Sequence, residues 1–180
     1  MSDDQRAAVQ QVFDGAADTY DAVGVSMFQP IAEQLVTDLS PRSGERALDV
    51  GCGRGAVLFR LAEAVGSTGR AVGIDLSPRM VEATTADAVA AGLAAEVSVG
   101  DAQAPDVPDA AFELVTSSLV LFFLPDPAAA LAAWHRKLVE GGRLGVSTFG
   151  PLSDSWYDVD ATFAPYLPPG MADPRTRQAD

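Results

Sequence analysis

Three glycines at alternate positions mark the stretch ALDVGCGRGAV, residues 47–57. Gly51, Gly53 and Gly55 lie between a predicted strand and a predicted helix. Glycine adopts positive φ angles without steric strain and lets a ligand approach the backbone closely. Gly51, Gly53 and Ala56 also fit the loose dinucleotide pattern G-x-G-x-x-G/A. The loop therefore indicates a ligand site, but alone it does not separate a phosphate from other ligands.

The carboxylate of Asp49 precedes this loop by two residues. A pyrophosphate bound over the loop would face this carboxylate at close range, and like charges repel. A ligand that carries a cation is stabilised there instead. S-adenosylmethionine fits, because it has an α-ammonium, a sulfonium and no phosphate. The alternative is that Asp49 only caps the following turn.

Two further aspartates follow the next two predicted strands. Asp75 ends the second strand, where a carboxylate can accept hydrogen bonds from both hydroxyls of a ribose. Leu76 beside it can pack on an adenine face. Asp101 and Ala102 follow the third strand, and Asp101 can accept a hydrogen bond from the adenine amino group. Each aspartate alone is as easily a turn residue, but three after successive strands of one sheet indicate one shared site.

Five short strands alternate with helices along the chain. The strands are predicted at RALDV, RAVGID, AEVSVG, FELVTSS and RLGVSTF. Helices are predicted from about Asp4 to Asp18, Ser26 to Leu39, Ala56 to Val65, Pro78 to about Ala91, and Pro127 to Val139. Ser77 is the expected cap of the fourth helix, and Gly141–Gly142 the expected end of the fifth. This order predicts an α/β fold, a doubly wound and mostly parallel sheet with helices on both faces.

Composition excludes several classes of function. A net charge of −13 disfavours nucleic acid and anionic membrane surfaces as partners. One cysteine and one histidine disfavour a disulfide framework and a metal site. No apolar run approaches the ~20 residues of a membrane span, and the acidic N-terminus is not typical of a signal peptide. We therefore expect a cytoplasmic protein.

The motifs LDVGCGRG, GIDLS, GDAQ, FELVTSSLVLFFLPDP and LVEGGRLGVSTF, in this order, resemble class I S-adenosylmethionine-dependent methyltransferases. The small-molecule branch, with ubiquinone, menaquinone and natural-product enzymes, is most similar. The resemblance covers about residues 9–150 and implies a Rossmann-like fold. It implies a helical lid at 1–42, a cofactor-binding core at 43–150, and the start of a substrate cap or C-terminal segment at 151–180. The cofactor-binding residues that it implies are Tyr20, Asp49, Gly51, Gly53, Asp75, Leu76, Asp101, Ala102, and Ser117 or Ser118.

Other residues in these motifs keep simpler interpretations. Phe13 and Phe28 can close over the site, but core packing is favoured. Cys52 is expected to be a small packed residue, and Arg54 a solvated or ion-paired one rather than a phosphate ligand. His135 is expected on a helix that packs against the sheet away from the cleft, without a catalytic role. No dedicated general base is found, so the catalytic residues stay unassigned.

The C-terminal part is expected to be incomplete. The family's sheet has seven strands, the last two an antiparallel hairpin, and the prolines after Gly150 oppose strands. We therefore expect an N-terminal part of a longer enzyme, or a shortened form, which lacks most of the acceptor pocket. A homo-oligomer or a partner chain would then cover the open edge of the fifth strand. The main prediction is methyl transfer to a small molecule. The alternatives are a non-catalytic or repurposed cofactor-binding protein and, less favoured, a nicotinamide oxidoreductase.

Overall fold

The computed structural model describes residues 3–20 and 27–150. The helices are α1 (Asp3–Ala16), α2 (Phe28–Leu39), α3 (Leu58–Val65), α4 (Pro78–Ala90) and α5 (Pro127–Lys137). The strands are β1 (Arg46–Val50), β2 (Arg70–Asp75), β3 (Ala95–Val99), β4 (Phe112–Ser118) and β5 (Leu138–Ser147). The chain divides into two compact units, Met1–Thr148 and Phe149–Asp180, and the first contains all of these elements. Within the described residues, no helix has the length and apolar character to cross a membrane.

The five strands form one sheet in the order β3-β2-β1-β4-β5, and every neighbouring pair is parallel. From β1 the chain builds outward to β2 and β3, then returns to the other side of β1 for β4 and β5. The strand order therefore reverses beside β1, and a cleft opens at the carboxyl ends of the strands there. The predicted doubly wound α/β fold is confirmed.

The central strands are apolar because helices cover both of their faces. In β1, Ala47 packs in a cluster with buried residues of α2 and α3, such as Leu35 and Leu61. Leu48, on the other face, packs with Trp134 of α5. Residues buried on both sides read as continuous apolar runs, so the sequence RALDV predicts its strand well.

Helix α4 begins as its sequence predicts. The side chain of Ser77 accepts a hydrogen bond from the backbone N–H of Met80, and Pro78 occupies the first turn. The cap satisfies a donor that has no partner within the helix. Helix α4 therefore starts directly after β2, which places its N-terminus at the cleft.

The predicted end of the fifth helix is wrong. Helix α5 ends at Lys137, and β5 begins at Leu138, which pairs with Phe112 of β4. Regular pairing resumes only at Arg143, opposite Leu114. Gly141, with a φ of 74°, lies in this irregular part of the strand and does not stop the helix. A glycine pair marks a β-bulge as readily as a helix end, and strand pairing decides between the two.

The predictions for the C-terminal segment, residues 151–180, and for the missing hairpin fall outside the described residues. The division at residues 42 and 150 also stays a prediction.

Candidate functional site

A cavity of about 90 Å³, here called the main cavity, opens at the carboxyl ends of the strands. A second space of about 50 Å³, here called the side recess, shares residues of its wall with the main cavity. Tyr20, Gly51, Gly53 and Ser118 line both spaces.

The glycine loop is fixed by backbone hydrogen bonds to β2. The N–H groups of Gly51 and Cys52 both donate to the carbonyl of Ile74, at 2.8 and 3.0 Å. Gly51 has a φ of 72°, and a Cβ added to it would lie 2.4 Å from the side chain of Val120. Gly53 also has a positive φ, but its added Cβ would meet no atom within 4 Å. Gly51 therefore allows a close packing contact, whereas Gly53 borders open space.

Asp75 holds the loop and the start of α4 together. Its Oδ2 accepts a hydrogen bond from the N–H of Gly53 at 2.8 Å, and its Oδ1 accepts one from the N–H of Ser77 at 2.9 Å. Burial raises the pKa of this carboxyl, and the backbone hydrogen bonds counteract the rise in part. Each carboxylate oxygen can accept a second bond, so Asp75 keeps acceptor capacity toward the main cavity that it lines.

Asp49 is almost wholly buried, with 2% of its surface exposed. Its Oδ1 accepts a hydrogen bond from the Thr116 hydroxyl at 2.8 Å. Burial raises the pKa of Asp49 to about 7, and the charge of nearby Asp75 adds to the rise. Asp49 lines the side recess. A buried carboxylate stabilises a positively charged ligand placed beside it.

Asp101 and Ala102, which follow β3, also line the main cavity. Asp101 accepts a hydrogen bond from the N–H of Gln103 at 2.9 Å and forms an ion pair with Arg6 of α1 at 3.1 Å. The carbonyl of Ala102 accepts a 2.7 Å hydrogen bond from the indole N–H of the buried Trp134. Trp134 thereby fixes this edge from within the core, a role that the sequence analysis did not assign.

The two serines at the end of β4 point in different directions. Ser117 is fully buried, and its hydroxyl donates to the carbonyl of Val50 at 2.9 Å. Ser118 lines both spaces, and its hydroxyl pairs with that of Ser147 at 2.8 Å. Side chains alternate along a strand, so only one of the two can face the cleft. Of the two predicted alternatives, Ser118 fits the site and Ser117 does not.

Aromatic side chains from α1 and the following turn close the other side of the cavity. Phe13 and Tyr20 line the main cavity, and Phe13 packs edge-on against Phe123 with ring centroids 5.4 Å apart. Tyr20 stacks on Phe28 at 4.9 Å. The favoured interpretation of Phe13 and Phe28 as core residues is wrong, because both line the cleft and neither is fully buried.

The structure supports the simpler interpretations of the remaining residues. Cys52 is buried, and burial raises the pKa of its thiol well above the usual value, so it is no thiolate nucleophile. Arg54 forms an ion pair with Asp87. His135 is exposed on α5. Among residues 3–20 and 27–150, no group of three or more His, Cys, Asp or Glu side chains could hold a metal ion.

The site therefore gathers most of the predicted residues. The main cavity is lined by Tyr20, Gly51, Gly53, Asp75, Leu76, Asp101, Ala102 and Ser118, and the side recess also by Asp49. The loop after β4 contributes Leu119, Val120, Phe123 and Leu124, to which the sequence analysis assigned no individual role.

The charged side chains around the two spaces fit S-adenosylmethionine better than a dinucleotide. Two carboxylates border the apolar main cavity, and a third borders the side recess. Arg6 and Arg54, two cations near these spaces, are both paired with aspartates of this chain. A nucleoside with a cationic tail would find carboxylates here that accept hydrogen bonds from its hydroxyls and stabilise its positive charge. A pyrophosphate would be repelled by the same three carboxylates.

Comparison with known proteins gives the same class. Residues 47–142 match the methyltransferase domain family. The aklanonic acid methyltransferase DauC of Streptomyces sp. (strain C5) is 40% identical over 164 residues, which are 91% of this chain and 74% of that protein. The nocamycin O-methyltransferase of Saccharothrix syringae is 46% identical over 142 residues, which are 78% of this chain and 50% of that protein. The chain belongs to the class I S-adenosylmethionine-dependent methyltransferases.

Family membership confirms the resemblance, the enzyme class and S-adenosylmethionine as the family's cofactor. The chain spans between half and three quarters of the length of these two relatives. Solved structures share the fold: a methyltransferase from Aquifex aeolicus has a TM-score of 0.65 at 21% identity, covering 84% of this chain and 86% of that one. The cyclase SpnF has a TM-score of 0.70 at 23% identity, covering 79% and 60%.

Proposed function

We propose that this chain carries out methyl transfer from S-adenosylmethionine to a small-molecule acceptor. One observation carries the proposal: Asp49, Asp75 and Asp101, from three successive strand ends, converge on two joined spaces beside a glycine loop. The names of the relatives, an aklanonic acid methyltransferase and a nocamycin O-methyltransferase, support a natural product as the acceptor.

The geometry suggests how the chain divides the cofactor between the two spaces. Asp75 and Leu76 would hold the ribose and flank the adenine in the main cavity, and Asp101 and Ala102 would meet the adenine edge. Asp49, Gly51 and Gly53 would surround the methionine end at the side recess. Tyr20 and Ser118, which line both spaces, would lie near the junction where the methyl group is held.

Orientation is the main contribution of the protein to this reaction. When bound, the cofactor supplies a methyl group on a sulfonium, which the acceptor displaces in line. Holding the two reactants in register can lower the barrier by several kcal/mol. The Asp75 bonds to Gly53 and Ser77 fix the wall that would align the cofactor. Asp49 would hold the ammonium end, and the aromatic rings of Phe13 and Tyr20 would exclude water.

Calorimetry tests this proposal directly. The demethylated product, S-adenosylhomocysteine, should bind the unmodified chain, and Asp75→Ala should weaken binding by on the order of 100-fold, because two acceptor bonds are lost. Asp109→Ala is the matched control, since Asp109 pairs with Lys137 at the surface. No binding heat with millimolar ligand would contradict the proposal.

A second candidate is a protein of this fold that binds the cofactor but catalyses another reaction. The similarity to the cyclase SpnF favours keeping it, because this fold also occurs in a protein named for a different chemistry. Bound S-adenosylmethionine that survives incubation with a broad panel of phenol, enol and carboxylic acid acceptors would support this candidate. A cytoplasmic location and an oligomer or partner chain at the β5 edge stay predictions.

A further inference from the structure

Arg54 lies in the glycine loop and lines the side recess, and its guanidinium contacts two other elements of the chain. One guanidinium nitrogen donates to the backbone carbonyl of Ala17, and the other pairs with Asp87 of α4. The side chain is largely buried, with 18% exposed. A planar guanidinium can donate hydrogen bonds to two acceptors in fixed directions, which an ammonium does less well.

Ala17 is the anchor of the segment that closes the cavity. It is fully buried and directly follows α1. Phe13 lies four residues before it and Tyr20 three residues after it, and both line the main cavity. Any displacement of Ala17 therefore moves both rings relative to the glycine loop.

The C-terminal end of α1 carries negative charge that a nearby cation would stabilise. The last carbonyls of a helix lack partners within the helix and carry partial negative charge, and α1 has no basic residue in its last turn. Asp14 and Asp18 add negative charge at the same end. Arg79 at the start of α4 forms an ion pair with Asp18, and Arg54 donates a hydrogen bond to the carbonyl of Ala17.

We propose that Arg54 is a positioning residue, which ties the end of α1 to the glycine loop and so holds Phe13 and Tyr20 over the bound cofactor. This inference rests on the proposed function, because it assumes that S-adenosylmethionine occupies the main cavity. Arg54 lines the side recess, but both of its terminal guanidinium nitrogens are engaged by Ala17 and Asp87 and not directed to the cofactor. It acts by coupling the wall that the cofactor contacts to the segment that covers it.

The test compares Arg54→Gln with a matched control, Arg143→Gln. Arg143 is also a partly buried arginine, and it pairs with Glu45 and contacts the carbonyl of Ser40, outside the residues that line either space. Stopped-flow competition and calorimetry would give the dissociation rate and Kd of S-adenosylhomocysteine. We expect Arg54→Gln to raise Kd about tenfold, the equivalent of one charged hydrogen bond, mainly through faster dissociation. We expect Arg143→Gln to leave Kd unchanged while it lowers thermal stability.

Two further variants keep the inference falsifiable if Arg54→Gln folds poorly. Arg54→Lys keeps a positive charge beside Asp87 but cannot donate to Asp87 and Ala17 in the same fixed geometry. We expect this variant to fold and still to release S-adenosylhomocysteine faster than the unmodified chain. Phe13→Ala removes one covering ring, so adding Arg54→Gln to it should have less effect than in the unmodified chain. Unchanged Kd and dissociation rate in Arg54→Gln or Arg54→Lys would overturn this inference alone. Failure of the unmodified chain to bind would overturn the proposed function and this inference with it.

Discussion

The two sides of the main cavity are held by different kinds of contact. On one side, which we call the carboxylate wall, Gly51 donates a backbone hydrogen bond to β2. Asp75 accepts hydrogen bonds from the N–H groups of Gly53 and Ser77, and Asp101 accepts one from the N–H of Gln103. On the other side, which we call the aromatic wall, Phe13, Tyr20 and Phe123 meet through ring contacts from elements far apart in the chain. The first wall is part of the sheet, and the second is attached to it by side chains.

This difference predicts how each wall responds to change. A wall built on strand ends shares the stability of the core, so a substitution there affects folding and binding together. A wall attached by side chains has few buried apolar contacts of its own, and such segments open at low free energy. Substitutions there should change ligand dissociation more than the stability of the fold.

Gly51→Ala should give the largest loss of stability. The new Cβ would lie 2.4 Å from Val120, and the φ of 72° disfavours alanine, so we expect a loss of about 2 to 4 kcal/mol in the free energy of unfolding. Denaturant unfolding measures it. Adding Val120→Ala removes the clash and should restore part of the loss, leaving the backbone strain.

Gly53→Ala is the matched control for that change. Its Cβ would meet no atom within 4 Å, so its cost to stability should be limited to about 1 kcal/mol of backbone strain. Because Gly53 borders the main cavity, the same methyl group should weaken S-adenosylhomocysteine binding. Equal stability losses at Gly51 and Gly53 would contradict the distinction between packing contact and open space.

Asp49→Asn should remove a pH dependence from the stability of the fold. The pKa of Asp49 is raised by burial to about 7, so the folded state binds a proton that the unfolded state releases. The resulting stability is complete below the unfolded pKa of about 4 and is lost as pH rises through 7, at roughly 1 kcal/mol per pH unit between these limits.

Thermal melts from pH 5 to pH 8 measure this effect. The unmodified chain should lose stability relative to Asp49→Asn as pH rises, and the difference should level off above pH 8. Parallel curves for the two proteins would show that Asp49 does not titrate in this range.

The carboxylate wall was largely predictable from sequence, and the aromatic wall was not. Asp49, Asp75 and Asp101 follow apolar runs, and parallel strands bring their carboxyl ends to one edge, so local patterns locate all three. Phe13 belongs to a helix whose docking depends on pairs such as Asp14 with Ser77, 63 positions apart. No local pattern encodes such a pairing, which is why core packing was the favoured interpretation.

The same limit explains why the sequence left two alternatives at the end of β4 and misplaced the end of the fifth helix. Ser117 and Ser118 are equivalent in a local pattern, and only the register with β1 decides which one faces the cleft. Gly141–Gly142 ends a helix or forms a bulge depending on pairing with Phe112 and Leu114. Both outcomes are set by hydrogen bonds between distant segments.

Trp134→Phe should loosen Ala102, which lies next to Asp101 at the edge of the carboxylate wall. The variant keeps an apolar ring but leaves the carbonyl of Ala102 without its 2.7 Å hydrogen bond. We expect a loss of about 1 to 2 kcal/mol in stability and a rise of about threefold in the Kd of S-adenosylhomocysteine. A stability loss with unchanged Kd would show that the position of Ala102 does not affect binding.

Arg6→Gln should have the smallest effect, because it breaks only an exposed contact between the two walls. Arg6 of α1 pairs with Asp101 at 3.1 Å, and 46% of the arginine side chain is exposed. Such pairs contribute about 0 to 1 kcal/mol and are screened by salt. Asp101 would then be freer to accept a hydrogen bond from the adenine amino group. The Kd of S-adenosylhomocysteine should therefore fall by at most about twofold, equivalent to less than 1 kcal/mol. The difference should vanish in high salt. A large rise in Kd would instead show that this ion pair is a main attachment of α1, and that the aromatic wall depends on charge as much as on ring contacts.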